Sequence, residues 1–204
     1  MSKSYYSLGL MSGTSMDGVD ASIISSDGES KYKVISNKYF QYNENLYSKL
    51  TRLRDKINVS KDLKTLSNDL KSVEKKITIF HAKTVNEMIK ESSVEIDFIG
   101  FHGQTIFHNP NEKISKQLGD GKLLSKLTKK AVVYDFRQND LKNGGQGAPL
   151  TPIFHGLIAF KHKLILPNIF INIGGIANMT YLGSQIIGDG GSVGTEWSAH
   201  DLCL

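Results

Sequence analysis

MSGTSMDGVDAS, residues 11–22, sets two glycines, four hydroxyl-bearing side chains and two aspartates between apolar flanks. Tyr6–Met11 before it reads as a strand and Val19–Ser25 within and beyond it as a second, which makes the polar segment the first corner of a sheet. Two chemistries suit such a corner. One is a nucleophilic serine, since G-T-S-M resembles the serine motif of subtilisin-type proteases. That arrangement places base and orienting acid before the serine, and none of the fourteen residues preceding Ser15 is His or Asp. No G-x-S-x-G spacing occurs at Ser12 or Ser15 either. The other chemistry is an anion cradle. Gly13 and Gly18 allow close backbone approach and positive φ, Thr14 and Ser15 add hydroxyl donors, and consecutive N–H groups form a nest. Met16 and Val19 complete the segment, while Asp17 and Asp20 suit Mg²⁺, which takes few carboxylates beside phosphate oxygens. A plain hairpin turn built from turn-forming residues is the competing reading. The G-x-x-x-x-G-K-[ST] signature of an ordinary P-loop is absent.

Outward from this corner, Asp27-Gly28 signals a hairpin and Lys33–Tyr42 a third strand. Ser60 reads as an N-cap, followed by Leu63, Leu66, Leu70, Val73, Ile77 and Phe80 at spacings of three and four. The pattern predicts one long helix against a sheet. Asp97–Phe101 reads as a short buried strand, Gly121–Lys129 as a helix and Ala131–Phe136 as a strand. Arg137–Pro149 reads as a loop, Pro149–Phe160 as a helix, Asn168–Ile173 as a continuous apolar strand, and Ala177–Leu182 as its returning partner. Three strands followed by alternating helices and strands predict an α/β domain with a mixed sheet.

Three further segments carry chemistry. Phe101-His102-Gly103-Gln104-Thr105 follows a predicted strand, so His102 and Gln104 fall where α/β sheets gather ligands; a histidine satisfying loop backbone is the alternative. Asp135-Phe136-Arg137 leads into Gly144-Gly145-Gln146-Gly147, and Arg137 there suits a carboxylate or phosphate; a surface Asp135–Arg137 pair is the alternative. Asn172-Ile173-Gly174-Gly175-Ile176-Ala177-Asn178 reads as strand, turn and strand.

Hydrophobic content of 39% and charged content of 22% fit a globular chain. The net charge of +5 comes from dispersed lysines rather than a basic block, which argues against nucleic-acid binding and agrees with anionic ligands. The single cysteine, Cys203, excludes an internal disulfide. The apolar run Leu8–Met11 is too short for a signal-peptide core and no run approaches a membrane span, so a soluble, cytoplasmic protein is expected.

In combination, MSGTSMDGVDA, FHGQTIFH, VVYDFRQNDLKNGGQGAPLTPIFH and INIGGIANMTYL resemble the bacterial 1,6-anhydro-N-acetylmuramic acid kinases over about residues 5–189. The resemblance implies a ribonuclease-H-like, actin-like ATPase domain with a mixed sheet flanked by helices, one of two lobes around a nucleotide cleft. It implies ATP and Mg²⁺ as cofactors and phosphorylation of the sugar's 6-oxygen while water opens the anhydro bridge, in peptidoglycan recycling. By resemblance Gly13–Asp20 carries the ATP phosphates, Asp17 and Asp20 the metal, and His102, Gln104 and Arg137 sit at or near the sugar. Asp189 matches the aspartate that activates the water. The implied partners are the amino sugar and ATP, with no nucleic acid or membrane; a homodimer stays open.

The chain departs from the family after Ile187-Gly188. DGGSVGTEWSAHDLCL stands where a G-F-D-T-G-P-G-N-like motif is expected, with no aromatic between Gly188 and Asp189. Asp201–Leu204 again resembles the start of the family's next helix. Family members are nearly twice as long. Residues 1–188 are therefore expected to form the N-terminal kinase lobe and 189–204 a divergent tail. The competing expectation is an inactive fragment serving at most as a sugar- or partner-binding module.

Overall fold

Alternating burial along the first strand fixes which way the sheet faces. In the computed structural model, which describes residues 3–173, 177–183 and 199–202, β1 (Tyr5–Ser12) buries Leu8, Leu10 and Ser12 and exposes Gly9 and Met11. That is the period of two of a strand covered on one face. β2 (Gly18–Ser26) and β3 (Tyr32–Gln41) follow antiparallel, forming the expected opening meander. The β2–β3 turn is closed by Asp27, whose carboxylate accepts the N–H groups of Glu29, Ser30 and Lys31, and by Gly28 at φ +81°.

β4 (Phe98–Asn109) lies parallel to β1 and gives the sheet the order β3-β2-β1-β4. The free edge of β4 is shared. Its first half pairs in parallel with β6 (Ala131–Tyr134) and its second half antiparallel with β5 (Ile114–Leu118). This is the mixed sheet expected from the sequence.

Five helices accompany the sheet: α1 (Glu44–Arg54), α2 (Ser60–Thr65), α3 (Ser67–Glu91), α4 (Gly121–Thr128) and α5 (Gln138–Lys142). α3 contributes Leu70, Val73, Ile77, Val85 and Met88 to the core that holds Leu8, Leu10, Val19, Ile23 and Ile99 of the strands. Each such burial is worth about 1.5–3 kcal/mol.

The single long helix predicted from Ser60 is two helices, interrupted at Leu66 with φ −95° and ψ 19°. Ser60 is not the cap. The Asp62 carboxylate accepts from the N–H groups of Asn58 and Val59 at 2.9 and 3.0 Å and closes the end itself. α1, unread in the sequence, is capped by Asn43, whose Oδ1 accepts from the Leu46 N–H, and buries Leu46, Leu50 and Leu53.

Two compact units divide at Gly147 and Ala148. The second contains α6 (Pro152–Lys161) and an antiparallel sheet of β7 (Asn168–Asn172), β8 (Ala177–Leu182) and β9 (Ala199–Leu202). β7 is a strand as expected, but it is not buried. Ile169, Ile171 and Ile173 are 50, 61 and 76% exposed, while Phe170 stacks on the His155 ring at 4.6 Å. The helix start expected at Asp201–Leu204 is instead strand through Leu202, because the edge of β8 offers unpaired backbone groups to it.

His81 tests the core of the first unit. It is fully buried on α3, its Nδ1–H donates to the Ile77 carbonyl at 2.9 Å, and its Nε2 has no partner. Burial pushes its pKa from the ordinary 6.5 to about 4. A folded value below the unfolded one means that the contribution is complete above pH 6.5 and is lost as pH falls toward 4. We expect His81→Met to remove up to roughly 1.4 kcal/mol per pH unit of acid sensitivity in that window without lowering stability at pH 7.5. Urea melts at several pH values check this; an unchanged acid slope contradicts it.

Candidate functional site

Parallel pairing brings the ends of β1 and β6 to the middle of β4. β1, β4 and β6 run together with Leu10, Phe101 and Tyr134 in register. The turn at 13–17, His102–Gln104 and Asp135–Arg137 therefore share the carboxyl end of the sheet, where open α/β sheets bind ligands.

Ser12 holds the first corner. The strand period points it inward with Leu8 and Leu10, and it is 1% exposed. Its Oγ lies 2.8 Å from the Gly18 carbonyl, 2.8 Å from the Tyr42 hydroxyl and 2.6 Å from Gln104 Oε1. Gln104 Nε2 donates in turn to the Gly13 carbonyl at 2.8 Å. Both ends of this amide thus fasten the turn to β4. Gln104 is fully buried, its amide engaged with Ser12 and with the carbonyls of Gly13 and Thr105. Tyr42 also donates its N–H to the Asp17 carbonyl. Burial pushes its phenol pKa well up, so it stays protonated and able to donate to Ser12.

The turn differs in detail from the reading of its glycines. Positive φ falls on Met16, at 59°, and neither Gly13 nor Gly18 adopts it. Met16 accepts that conformation because its side chain is packed in the core at 2% exposure, beside Val19 at 0%. Gly18 is needed for close approach: a Cβ there would meet the Phe40 carbonyl and the Tyr39 ring. Thr14, Ser15, Asp17 and Asp20 face solvent, and Ser15 Oγ donates to Asp17 Oδ1 at 2.7 Å. Partial desolvation raises the Tyr39 pKa, and the charges of Asp17 and Asp20 add to it, which brings both carboxylates to one hydroxyl. Two exposed carboxylates beside the exposed hydroxyls of Thr14 and Ser15 fit a hard cation with phosphate oxygens. Among the described residues no three His, Cys, Asp or Glu side chains cluster for a metal, so ligand oxygens would complete such a shell.

FHGQT lies inside β4 rather than in a loop beyond it. Gly103 sits at φ +71°, and a Cβ on it would approach the Leu118 carbonyl to 2.6 Å. The pairing of β4 with β1 shifts register across this stretch, and the strand continues past the site as the partner of β5. His102, 8% exposed, donates from Nδ1 to the Gly103 carbonyl at 2.8 Å. Its Nε2 accepts from Arg137 Nε and Nη2 at 3.1 and 2.8 Å, which fixes the neutral tautomer. Burial, then the Arg137 charge, lowers the His102 pKa to about 4.

Arg137 completes this arrangement by donating from Nη1 to the Gly147 carbonyl at 2.6 Å. Burial lowers its pKa as well. Among the described residues no carboxylate lies within ion-pair distance of it, so the surface pair with Asp135 is not formed. A half-buried guanidinium held by neutral groups is incompletely compensated, and a ligand carboxylate or phosphate would complete it. A cleft of 250 Å³ opens on the other side of His102, lined by Phe101, His102, Lys116, Tyr134, Asp135 and Gln138 among others but not by Arg137. Asp189 and Gly174–Ile176 lie outside the described residues.

Sequence reasoning missed Tyr42 and Asp140. No local signal marks Tyr42. Asp140 stands three residues after Arg137 and seven before Gly147, and its Oδ2 accepts the Gly147 N–H at 2.7 Å.

The sequence matches the family described as Anhydro-N-acetylmuramic acid kinase over residues 5–190. It is 58% identical to the anhydro-N-acetylmuramic acid kinase of Pelagibacter ubique strain HTCC1062 over 205 residues, covering 97% of this chain and 55% of that protein. Identity to the Brucella canis kinase of that name is 41% over 183 residues, covering 87% and 49%. For Agrobacterium fabrum it is 40% over 181 residues, covering 86% and 48%. The chain spans about half the length of the curated relatives it matches.

Two outcomes are expected of the geometry itself. Ser12→Ala removes the one O–H that Gln104 Oε1 and the Gly18 carbonyl share, and the acceptor for the Tyr42 hydroxyl, and should cost about 1–3 kcal/mol in denaturant unfolding; a loss under a few tenths contradicts the network. Arg137→Met removes the cation facing His102. Its ring pKa, followed by NMR titration, should then rise from about 4 yet stay below 6.5 because burial remains. An unchanged value contradicts the contact.

Proposed function

Because the chain belongs to the anhydro-N-acetylmuramic acid kinase family, we propose that the carboxyl ends of β1 and β6, with His102–Gln104 of β4 between them, serve ATP-dependent phosphorylation of 1,6-anhydro-N-acetylmuramic acid. The product would be N-acetylmuramic acid 6-phosphate, formed as water opens the anhydro bridge. The observation that carries the reading is Arg137, a half-buried cation without a carboxylate partner among the described residues, aimed by His102 and Gly147. It suits an acidic sugar, whose carboxylate it would grip in two-point fashion.

The exposed Thr14, Ser15, Asp17 and Asp20 form the phosphate end of the site in this reading, with Gly13, Met16, Gly18 and Val19 supplying backbone and shape. Mg²⁺ held by Asp17 and Asp20 together with ATP oxygens would neutralise charge on the transferred group. His102 stays neutral through the working pH range, so it holds the guanidinium without repelling it. Asp189 is the proposed base for the attacking water, by family likeness alone. The localisation that goes with this chemistry is the cytoplasm, where ATP is available.

A second reading takes the same cation, Arg137, as a binding group alone. In it the chain binds sugar or a partner without turnover. Binding and turnover separate the two. Calorimetry should detect the anhydro-sugar with wild type and a loss of about 10–100-fold in affinity with Arg137→Met, as for a charged hydrogen-bonded pair. Transfer of ³²P from labelled ATP to the sugar, lost in Asp17→Asn, supports the kinase reading. Sugar binding without transfer supports the second, and no saturable binding of either ligand overturns both.

A further inference from the structure

Resting on the sugar-site reading above, we infer that Asp140 is a positioning residue that sets the Arg137 guanidinium through the backbone of Gly147. Asp140 lies in α5, immediately after the arginine. Its Oδ2 accepts the Gly147 N–H at 2.7 Å, and its own carbonyl accepts the Gly145 N–H at 2.9 Å and the Asn143 N–H at 3.1 Å. The glycine loop is therefore wrapped around one aspartate. Gly147 then returns the contact, because its carbonyl accepts from Arg137 Nη1 at 2.6 Å.

The residue types in this loop follow from that wrapping. A Cβ at Gly145 would collide with the Asp140 carboxylate, and Gly147, at φ +70°, leaves a Cβ only 2.9 Å from Leu141 Cγ. Leu141 is fully buried and fixes α5 beneath the loop. The sequence spacing D-L-K-N-G-G-Q-G, residues 140–147, is thus a closed anchor rather than a free glycine-rich strap.

One negative and one positive group are coupled without touching. Asp140 orients the Gly147 N–H, the Gly147 carbonyl orients Arg137, and Arg137 is held on its other side by His102 Nε2. Removing Asp140 leaves the guanidinium with the histidine alone and free to swing from the position that meets a ligand anion. Asp140 itself does not touch substrate in this account.

The experiment compares wild type, Asp140→Ala and Asp140→Asn. Asparagine keeps an oxygen acceptor for the Gly147 N–H, whereas alanine removes it. The first readout needs no ligand: ¹⁵N NMR of the Arg137 Nε–H and the His102 ring. Asp140→Ala should shift both signals and speed Nε–H solvent exchange at least tenfold, while Asp140→Asn stays near wild type. The second readout is calorimetric affinity, which should fall about tenfold for the anhydro-sugar in Asp140→Ala and stay unchanged for Mg-ATP. A general folding defect would lower both affinities and would not be rescued by asparagine. Unchanged Arg137 and His102 signals in Asp140→Ala overturn the inference whatever the ligand proves to be. Failure of wild type to bind the sugar, with the NMR shifts present, overturns the sugar-site reading and leaves the coupling standing.

Discussion

A serine hydroxyl buried in an apolar core has to be answered, and the partners that answer Ser12 hold the site together. The strand period that places Leu8 and Leu10 inside places Ser12 inside with them. Its Oγ then reaches the far end of its own turn at Gly18, the start of the helical region at Tyr42, and the neighbouring strand at Gln104. Without those contacts the corner at 13–17 would be tied to the sheet only through the flanking strands. With them it is fastened to β4, and Gln104 adds a second tie through the Gly13 carbonyl. The exposed hydroxyls and carboxylates of the corner stand on this buried base.

The other half of the site is governed by charge. A histidine made neutral by burial accepts from an arginine that has no carboxylate within ion-pair distance among the described residues. Such a pair is unfavourable unless something compensates it, and here the compensation is partial: a backbone carbonyl and a fixed tautomer. Carboxylates gather at the β1–β2 corner and the guanidinium at the end of β6. One end of the sheet therefore presents groups suited to a metal-bound polyphosphate and groups suited to an acid.

Much of the fold was legible because it rests on local patterns. β1, β2 and β3 announced themselves by alternation and by Asp27-Gly28, and α4 and β6 by length and composition. The long helix was misread at Leu66 because heptad-like spacing continues across the break, and only the backbone there departs from it. FHGQT was placed in a loop because glycine and polar residues usually end strands; the bulge at Gly103 lets β4 continue and change partners. In the site, His102 and Arg137 were found from residue type and position, and the structure joins them. The burial of Gln104 against Ser12 was not legible, since it depends on two strands far apart in sequence. Positive φ was assigned to glycines on propensity, yet it falls on Met16, whose packing overrides the backbone preference.

In the proposed function the ends of β1 and β6 and the middle of β4 form one ligand site with two chemically distinct ends. The most direct measurement of this is chemical-shift mapping on the isotope-labelled chain, titrated separately with the anhydro-sugar and with Mg-ATP. The account predicts that the sugar moves the signals of His102, Arg137 and Gly147, and that Mg-ATP moves those of Thr14, Ser15, Asp17 and Asp20. Saturable shifts centred elsewhere in the chain, or no shifts with either ligand, would contradict it.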